Sequence, residues 1–322
     1  MSRTALICGI HGMDGSHLAD LLLKKQYKVF GLQRPSNNND IRDNSKHLID
    51  RITFLEGDVT DQKTILKCLE QSNPDEFYNF AANSFLDDCW HNPEMNADVI
   101  GIGVLRLLEA IKSFNKEIKI FQASSSEMFG RISKTPVNEE GPFQPKTQYG
   151  CSKLFAHWMC KNYREYYNMY VSSGILFNHE SERRAKHFVT RKITHGVARI
   201  YLGLQKEIKL GNIDATKDWG YAPDFVEGMW LSLQQSNPDD YIFCTGIQHT
   251  IKDFLNIAFN CINIQNWEPY ITIDDGFKRH SEVDVLKGDL SKAKKKLNWQ
   301  PKTSLSEIIE KMVMHDIQQL KR

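Results

Sequence analysis

Short apolar runs alternate with amphipathic stretches along the first half of the chain. Runs of strand length occupy residues 4–8, 27–32, 52–55, 76–80 and 118–122. Apolar residues at helical spacing follow them, first at Leu18, Leu21 and Leu22 and then at 62–71, 96–112 and 150–167. Strands that alternate with helices predict parallel strands joined by crossover helices, which form a doubly wound sheet. Such a sheet binds ligands at the carboxyl ends of its strands.

Three glycines follow the first apolar run directly. Gly9, Gly12 and Gly15 stand between that predicted strand and the first predicted helix. Glycines at this spacing permit a tight turn, a close approach of the backbone to a pyrophosphate, and an anion at the helix N-terminus. A purely structural turn is the alternative, but the strand-turn-helix context favours dinucleotide binding. We therefore predict a Rossmann-type doubly wound parallel sheet whose cofactor contacts include Gly9, Gly12, Met13, Asp14 and Gly15.

The end of the second predicted strand bears on the choice of cofactor. Gln33 and Arg34 stand where an Asp or Glu would bind the ribose 2′-hydroxyl of NAD. A neutral residue followed by an arginine suits a 2′-phosphate, so the sequence favours NADP over NAD. The alternative is that Arg34 is a solvated loop residue. The polar loop at 35–50 is unusually long, and long loops in compact domains are usually functional or mobile.

Small and polar residues at two further strand ends complete the predicted cofactor site. Asp58 and Val59 follow the third predicted strand, where Asp58 can cap the next helix or contact the adenine. Ala81 and Ala82 follow the fourth strand, and their small side chains let a cofactor ring lie against the backbone. All four residues are therefore predicted to contact the dinucleotide.

A hydroxyl, a carboxylate, a phenol and an ammonium group are predicted to converge after the strand at 118–122. Ser125 and Glu127 face the same way if they continue that strand. Tyr149 and Lys153 lie four residues apart and share a helical face. A lysine beside a phenol lowers its pKa, which makes Tyr149 a candidate general base. The alternative is a surface tyrosine and lysine, but the glycine turn falls on the same sheet edge and favours catalysis.

Composition limits the remaining possibilities. The chain has 322 residues, 41% hydrophobic and 25% charged, so it can bury a large core as one compact unit with two lobes. A net charge of +1 gives no support for bulk binding to nucleic acid or a membrane surface. Seven cysteines without a CxxC pair indicate reduced thiols in a cytoplasm, not a disulfide framework or a metal site. No apolar run approaches the roughly 20 residues of a membrane span.

The second half of the chain is predicted to be a substrate-binding lobe. We expect residues 1–178 to form the NADP-binding domain and residues 179–322 the smaller α/β lobe, with a segment near 220–248 returning to the first domain. Asn178 follows an apolar strand, and four cations come soon after it: Arg183, Arg184, Arg191 and Lys192. Cations and amide donors suit a diphosphate and a guanine carbonyl, although any one of these cations could be a solvated surface residue.

Longer motifs are more specific than the glycine turn. They occupy residues 174–181, 183–184, 188–193, 210–212, 218–220, 282–284 and 288–289. With these motifs the chain resembles, nearly end to end, the GDP-mannose 4,6-dehydratase family of the extended short-chain dehydrogenase/reductase superfamily. The resemblance implies an NADP-dependent lyase that acts on a GDP-sugar. It also implies a homo-oligomer, a tetramer or dimer, because the family's loop equivalent to 35–50 reaches a neighbouring subunit.

The resemblance also implies an internal redox cycle that yields a 4-keto-6-deoxy sugar without net consumption of cofactor. Tyr149 would take the proton of the sugar 4-hydroxyl while hydride leaves C4, and Ser125 would hydrogen-bond the 4-oxygen. Lys153 would hold the cofactor ribose. Glu127 would remove the C5 hydrogen and then protonate the departing 6-hydroxyl. A simple reductase needs no carboxylate at position 127, so Glu127 favours elimination.

A set of substrate contacts follows from the same resemblance. It comprises Ser84, Ser126, Asn178, Val189, Lys192, Lys217, Arg279 and Glu282. A glutamate such as Glu282 accepts hydrogen bonds from the guanine N1 and N2 donors, which adenine does not supply.

The chain departs from the family pattern beside the expected hexose. Residues 83–86 are Asn-Ser-Phe-Leu where the family usually has Gln-Ser-His-Val, and Lys217 replaces an arginine. These departures leave GDP-mannose and GDP-manno-heptose as alternative substrates of a 4,6-dehydratase. A GDP-sugar 4-dehydrogenase or epimerase that stops after C4 oxidation is a further alternative, as is a non-catalytic binding protein.

Overall fold

Strands and helices alternate along most of the computed structural model, which describes residues 2–34, 39–132, 135–274, 276 and 286–321. The strands are β1 (Thr4–Cys8), β2 (Lys28–Gln33), β3 (Thr53–Glu56), β4 (Glu76–Asn79), β5 (Lys119–Ser125), β6 (Val171–Leu176), β7 (His179–Glu180), β8 (Ile208–Leu210), β9 (Thr216–Lys217), β10 (Gly220–Tyr221), β11 (Asp240–Phe243), β12 (His249–Thr250) and β13 (Ile271–Ile273). The α-helices are α1 (Met13–Lys24), α2 (Gln62–Ser72), α3 (Leu86–His91), α4 (Pro93–Ala97), α5 (Gly103–Phe114), α6 (Gln148–Tyr167), α7 (Val189–Tyr201), α8 (Ala222–Leu233), α9 (Ile251–Asn260), α10 (Ser291–Leu297) and α11 (Leu305–Leu320). Shorter 3-10 helices lie at Asn39–Leu48, Ser126–Met128 and Glu268–Tyr270, and a π-helix lies at Asp98–Ile102.

Seven strands form one parallel sheet in the order β11-β6-β5-β4-β1-β2-β3. From β1 the chain moves outward to β3 on one side, and from β4 it moves outward to β11 on the other. The loops after β1 and β4 therefore diverge, and a crevice forms between them at the carboxyl edge of the sheet. The predicted doubly wound parallel sheet is confirmed.

Helices cover both faces of this sheet, and successive residues of a strand feed two different cores. On β1, Ala5 and Ile7 pack with α1 and α8, whereas Leu6 and Cys8 pack with α2, α5 and α6. All four side chains are buried. This two-residue period explains why the strands are apolar throughout, as expected for a parallel sheet covered on both faces.

Two elements from late in the chain lie on the large sheet. β11 pairs with β6 from Asp240 opposite Ser173 to Phe243 opposite Leu176. α8 packs against α1, β5 and β6. Because these elements follow residues of the smaller lobe in sequence, the chain crosses between the two lobes more than once.

The smaller lobe has its own core, built by α7, α9 and α11 beside the β8–β13 pair. Val197, Phe254 and Ile309 are among its fully buried side chains. A buried ion pair between Arg191 on α7 and Asp316 on α11 ties two of these helices together. This core is separate from the two that flank the large sheet.

Two predicted helices differ from the observed ones at their ends. The helix expected at 150–167 begins at Gln148, because Thr147 caps it by accepting a hydrogen bond from the Gly150 N–H at 3.0 Å. The helix expected at 96–112 is divided into α4, the π-helix at Asp98–Ile102 and α5. The first difference places Tyr149 in the first turn of α6.

Candidate active site

The glycine turn between β1 and α1 is shaped for a pyrophosphate. Gly9 has φ +83°, and its carbonyl accepts a hydrogen bond from the Gly12 N–H at 3.0 Å. A Cβ on Gly15 would lie 2.3 Å from that carbonyl oxygen, so only glycine fits there. No side chain caps the N-terminus of α1, which leaves the amides of its first turn to bind an anion. The residues present therefore fit a dinucleotide.

Asp14, in the first turn of α1, is paired with a residue from beyond β6. The His179 Nε2 lies 2.9 Å from an Asp14 carboxylate oxygen, and its Nδ1 lies 2.7 Å from the Phe177 carbonyl. Burial opposes charge on both groups, yet the pair raises the pKa of His179 and lowers the pKa of Asp14. The pair therefore favours the charged form of each partner beside the glycine turn.

The predicted adenosine contacts lie at the ends of β2 and β3. Arg34 follows β2 directly and is exposed, whereas Val59 is buried. Asp58 does not cap α2, because Asp61 takes that position by accepting the Lys63 N–H at 2.9 Å. The Asp58 carboxylate accepts instead from the Thr60 N–H at 2.9 Å and the Thr60 hydroxyl at 2.8 Å. The first alternative for Asp58, a helix cap, is wrong.

The segment after β4 lies against the catalytic tyrosine candidate. Asn79 accepts a hydrogen bond from the Ala81 N–H at 3.1 Å, which fixes the path of the backbone past Gly9. Ala82 packs in one apolar cluster with Tyr149 and Cys89. Both predicted alanines are half-buried at this edge of the sheet.

Ser125, Glu127 and Tyr149 converge through a tight turn and a capped helix. Ser125 is the last residue of β5, and its hydroxyl accepts the Glu127 N–H at 3.2 Å. Glu127 therefore lies in a 3-10 turn and not on the strand, so strand alternation was the wrong reason for its position. A Cβ on Gly150 would lie 2.6 Å from the Glu127 carbonyl, so this glycine lets α6 begin against the turn. Tyr149 is buried and hydrogen-bonds Ser125.

Lys153 lies one helical turn after Tyr149 and is buried. Its Nζ donates to the Ala123 carbonyl at 2.6 Å and lies 5.7 Å from the centre of the Tyr149 ring. Burial lowers the pKa of Lys153 to about 8. Burial raises the pKa of Tyr149, while Ser125 and the Arg184 charge oppose that rise. The pKa of Tyr149 is thus raised and not lowered as expected, because burial is the largest influence on the phenol.

One cavity at the carboxyl edge brings together residues that are far apart in sequence. Its lining includes four predicted site residues: Ser126, Glu127, Asn178 and Lys217. Asn178 follows β6, and its carbonyl accepts the Gly220 N–H at 2.9 Å. The next residue after Lys217, Asp218, accepts from the Thr245 N–H at 3.0 Å and the Gly246 N–H at 2.7 Å. Both lobes therefore contribute to this cavity.

The four cations after Asn178 do not form one cluster. Arg183 donates to Asp20 at 2.7 Å, and Arg191 is buried against Asp316. Arg184 lies 3.3 Å from a Glu180 oxygen and 3.8 Å above the Phe188 ring. Burial lowers the pKa of Lys192. The interpretation of all four as phosphate ligands is therefore wrong for Arg183 and Arg191, because each of these two is paired with a carboxylate of a helix distant in sequence.

The remaining predicted substrate contacts lie in three different parts of the chain. Val189 is the first residue of α7, and Ser84 is exposed in the segment between β4 and α3. Arg279 and Glu282 lie outside the described residues.

Comparison with known proteins agrees with this geometry. The family model for GDP-mannose 4,6 dehydratase matches residues 6–312. GDP-mannose 4,6 dehydratase 1 of Arabidopsis thaliana is 46% identical over 331 residues, which cover 99% of this chain and 91% of that protein. The chain belongs to the GDP-mannose 4,6-dehydratase family. GDP-mannose 4,6-dehydratase of Vibrio cholerae is 38% identical over 357 residues, which cover 100% of this chain and 96% of that protein.

The fold of this GDP-mannose 4,6-dehydratase family member recurs in solved structures. The crystal structure of dTDP-glucose 4,6-dehydratase from Bacillus anthracis, in complex with NAD, matches with a TM-score of 0.86. The match covers 99% of this chain and 98% of that chain at 20% sequence identity. At that identity the likeness shows a shared fold.

At the site of this GDP-mannose 4,6-dehydratase family member, sequence reasoning gave no role to His179 and assigned Arg184 only to the cations suited to a diphosphate. His179 supports Asp14 of the glycine turn, and the Arg184 charge acts on the pKa of Tyr149. Both stand in the motif after β6, where two or more polar residues directly follow a buried strand. That position, at the carboxyl end of a parallel strand, was the available signal.

The segment that departs from the family pattern contacts the smaller lobe. Phe85 lies edge-on to His187, with ring centres 4.5 Å apart, and 6.0 Å from Phe188. The guanidinium group of Arg184 lies over the ring of Phe188, the second aromatic partner of Phe85. An aromatic bridge therefore spans the two lobes near Tyr149 in this family member.

The described ranges contain neither a metal-binding group nor a membrane-spanning helix. No group of three or more His, Cys, Asp or Glu residues there could hold a metal ion. None of the helices in those ranges has the length and apolar character needed to cross a membrane.

Proposed function

We propose that this chain is an NADP-dependent GDP-mannose 4,6-dehydratase that produces a 4-keto-6-deoxy sugar nucleotide. The observation that carries the proposal is the cavity at the sheet edge. There Glu127 lies beside Asn178 and Lys217, and Ser125 joins the Glu127 turn to Tyr149. The family membership supports the same reaction, because its relatives are named for it.

The glycine turn and its neighbours are suited to hold a nicotinamide dinucleotide. When bound, this cofactor supplies a hydride acceptor for sugar C4 and a hydride donor for C6. The first-turn amides of α1 would bind its diphosphate, and Lys153 would hold a ribose hydroxyl. The exposed Arg34 at the end of β2 supports NADP, since a guanidinium pairs with a 2′-phosphate.

Tyr149 and Ser125 are proposed to act at the sugar 4-hydroxyl. The Tyr149 phenolate takes the hydroxyl proton as C4 is oxidised, and the Ser125 hydroxyl hydrogen-bonds the same oxygen. The Arg184 charge favours the phenolate that this step requires, which offsets part of the cost of burial. Ser125 is placed for both tasks, because its hydroxyl already contacts the Glu127 turn and Tyr149.

Glu127 is proposed to carry the elimination. A ketone at C4 acidifies the hydrogen on C5, and the Glu127 carboxylate removes it. The same carboxyl group then protonates the 6-hydroxyl, which leaves as water. One group can serve as base and then as acid because it gains the proton that it later delivers. As hydride reaches C6 of the 4-keto-5,6-alkene left by the elimination, Tyr149 gives its proton to C5, which yields the 4-keto-6-deoxy sugar and restores the phenolate.

Recognition of the GDP portion is proposed to fall to the smaller lobe. Asn178 and Lys217 line the cavity, and Val189 and Lys192 lie in the first turn of the adjacent helix α7. An amide and two ammonium groups suit a diphosphate and a guanine carbonyl. Ser126, directly after β5, lines the same cavity, and Ser84 lies between β4 and α3; both would contact the hexose. Arg279 and Glu282 stay sequence-based members of this set.

We also propose a homo-oligomer, a dimer or tetramer. Large apolar side chains are exposed on the helical segments that follow β4 and β5: Trp90, Met95, Ile102, Phe155 and Trp158. These helices pack against one another, and exposed apolar patches on soluble proteins commonly mark interfaces. A single-chain mass in light scattering would contradict this proposal.

Mass analysis of the product tests the proposed reaction. The purified chain with NADP should convert GDP-mannose to a product about 18 mass units lighter, the mass of one water, without accumulating NADPH. The variant Glu127→Gln should oxidise C4 and stop, so that NADPH accumulates once per site and no water is lost. The matched control Glu140→Gln changes an exposed carboxylate elsewhere and should behave as the parent chain does.

Three outcomes would contradict the proposal and point to its alternatives. NADPH that accumulates with every turnover of the unchanged chain, with a product about 2 mass units lighter because only two hydrogens are lost, would indicate a 4-dehydrogenase. A product of unchanged mass, without NADPH, would indicate an epimerase. A parallel incubation with GDP-manno-heptose that is dehydrated faster than GDP-mannose would identify the heptose as the substrate.

A further inference from the structure

Three side-chain contacts connect helix α1 to the segment that follows β6. Asp14 pairs with His179 at 2.9 Å, and His17 hydrogen-bonds the Ser181 hydroxyl at 2.9 Å. The third contact is the ion pair between Asp20 and Arg183 at 2.7 Å. We call these three contacts the α1 ladder.

The spacing of the α1 ladder follows from helix geometry. Positions 14, 17 and 20 are three residues apart, so they lie on one face of α1. Their partners occupy alternate positions in the segment 179–183, which turns where the Arg183 N–H binds the Ser181 hydroxyl at 3.1 Å. The segment therefore runs along the helix and touches it at every second residue.

The contacts of the α1 ladder are well shielded and supported from a third side. His17, His179 and Ser181 are buried, and Asp20 and Arg183 are mostly covered. The 3-10 helix at Asn39–Leu48 supports the outer end. There His47 lies 3.0 Å from an Asp20 oxygen, and the Asn44 amide donates to the Arg183 carbonyl at 2.9 Å.

The position of the α1 ladder links the two halves of the candidate active site. Helix α1 begins at the glycine turn, whose amides are the proposed diphosphate ligands. The segment 179–183 lies between Asn178 and Val189, which are proposed substrate contacts. His17, Asp20, Ser181 and Arg183 do not line the cavity that holds Glu127 and Asn178. Their contacts can therefore influence substrate binding only by placing other residues.

We propose that the two outer contacts of the α1 ladder, His17 with Ser181 and Asp20 with Arg183, couple cofactor binding to GDP-sugar binding. Cofactor bound at the glycine turn fixes the position of the first turn of α1. Through the ladder contacts, α1 then fixes the position of the segment beside Asn178. Arg183, Asp20, His17 and Ser181 are thus positioning residues. This inference rests on the proposed function, because it takes a GDP-sugar as the ligand of the smaller lobe.

Binding of GDP with and without NADP tests this coupling. Calorimetry should show GDP binding roughly 10-fold more tightly to the NADP-loaded chain than to the cofactor-free chain, within the usual range of coupling between sites. In Arg183→Gln this ratio should fall to about 2, because GDP binding to the NADP-loaded chain weakens while GDP binding to the cofactor-free chain does not. In Arg183→Lys, which keeps a cation opposite Asp20, most of the ratio should return.

A matched control separates the ladder from ion pairs in general. Lys292 pairs with Asp239 at 2.6 Å, with side-chain exposures of 25% and 28%, close to the 20% and 22% of Arg183 and Asp20. This pair lies away from the glycine turn, so Lys292→Gln should leave the ratio unchanged. Melting temperatures of all variants show whether any change in the ratio comes from loss of the fold.

Specific results would overturn the coupling. If Arg183→Gln weakened GDP binding equally with and without NADP, Arg183 would be a direct ligand and not a positioning residue. A ratio of 1 in the unchanged chain, or an unchanged ratio in Arg183→Gln, would also overturn it. A chain that dehydrates GDP-mannose and gives one of these results would retain the proposed function and lose only this inference.

Discussion

Burial shifts the pKa values of Tyr149 and Lys153 in opposite directions. Loss of solvent disfavours the charged form of each group, so the pKa of the phenol rises and that of the ammonium group falls to about 8. Burial therefore moves the two pKa values apart: the phenol holds its proton more firmly, and the ammonium group loses its proton more easily. A cation near Tyr149 favours its phenolate, and the charge of Arg184 acts on the pKa of Tyr149 in this direction.

Two neighbouring histidines of the α1 ladder should respond to pH with opposite signs. Burial and Arg183 lower the pKa of His17 to about 4, so the unfolded chain binds more protons there between about pH 6.5 and pH 4. Acid therefore weakens the fold through His17. The pKa of His179 is raised by Asp14 despite burial, so its contribution is complete below about pH 6.5 and is lost as pH rises through the folded pKa.

The His17→Gln variant isolates the first of these effects. We expect the unchanged chain to lose on the order of 3 kcal/mol of unfolding free energy through His17 between pH 6.5 and pH 4. The variant should lack that part of the slope. Urea unfolding at several pH values measures it, with His47→Gln as the exposed control. Equal slopes in His17→Gln and the unchanged chain would contradict the assignment.

Residue types at strand ends were predictable, whereas their partners were not. Ser125, Glu127 and Tyr149 could be proposed because polar residues follow an apolar strand and a helix start. The ion pairs of Arg183 and Arg191 could not, because Asp20 lies 163 positions away from the first and Asp316 lies 125 positions away from the second. No local pattern distinguishes a cation held by a distant carboxylate from one that awaits a phosphate.

At the scale of elements, the glycine turn gives the sharpest test of the cofactor site. A Cβ on Gly15 would lie 2.3 Å from the Gly9 carbonyl oxygen and 2.8 Å from the Ile10 Cα. A Cβ on Gly12 would lie 3.2 Å from the same oxygen, which a small shift relieves. Both positions belong to one turn, so alanine at Gly15 and alanine at Gly12 compare a severe steric clash with a mild one at the same site.

Gly15→Ala should weaken NADP binding at least about 10-fold, because α1 must move away from the turn that holds the diphosphate. Gly12→Ala should weaken it by less than about 3-fold. Fluorescence titration with NADPH measures both variants. Equal affinities in the two variants would show that the turn does not need this close approach.

Elements with a clear period were predicted well, and very short ones were not. The strands of the large sheet are apolar on both faces, and α1, α2 and α6 have an apolar side, so both kinds left a pattern in the sequence. The 3-10 turn at Ser126–Met128 and the two-residue strands β7, β9 and β10 are too short to show a period. Glu127 and Lys217 lie in such elements, which is why their exact positions needed the structure.

At the scale of the molecule, the candidate active site exists only where the two lobes meet. The large sheet contributes Ser126 and Glu127, and the residues after β6 and on β9 contribute Asn178 and Lys217. The Phe85 contact with His187 and the α1 ladder cross between the same parts. The sequence motifs indicated each side separately, but their meeting depends on the sheet order, which places β1, β4, β5 and β6 side by side.

The central claim is that hydride leaves C4 of the sugar and returns to C6 of the same molecule while Glu127 removes water between these steps. GDP-mannose that carries deuterium at C4 tests it most directly, with mass spectrometry and NMR of the product. We expect a dehydrated product that retains the deuterium, at C6, with NADP present in only catalytic amount. A dehydrated product without the label, or labelled cofactor that accumulates while the sugar keeps its water, would contradict the claim.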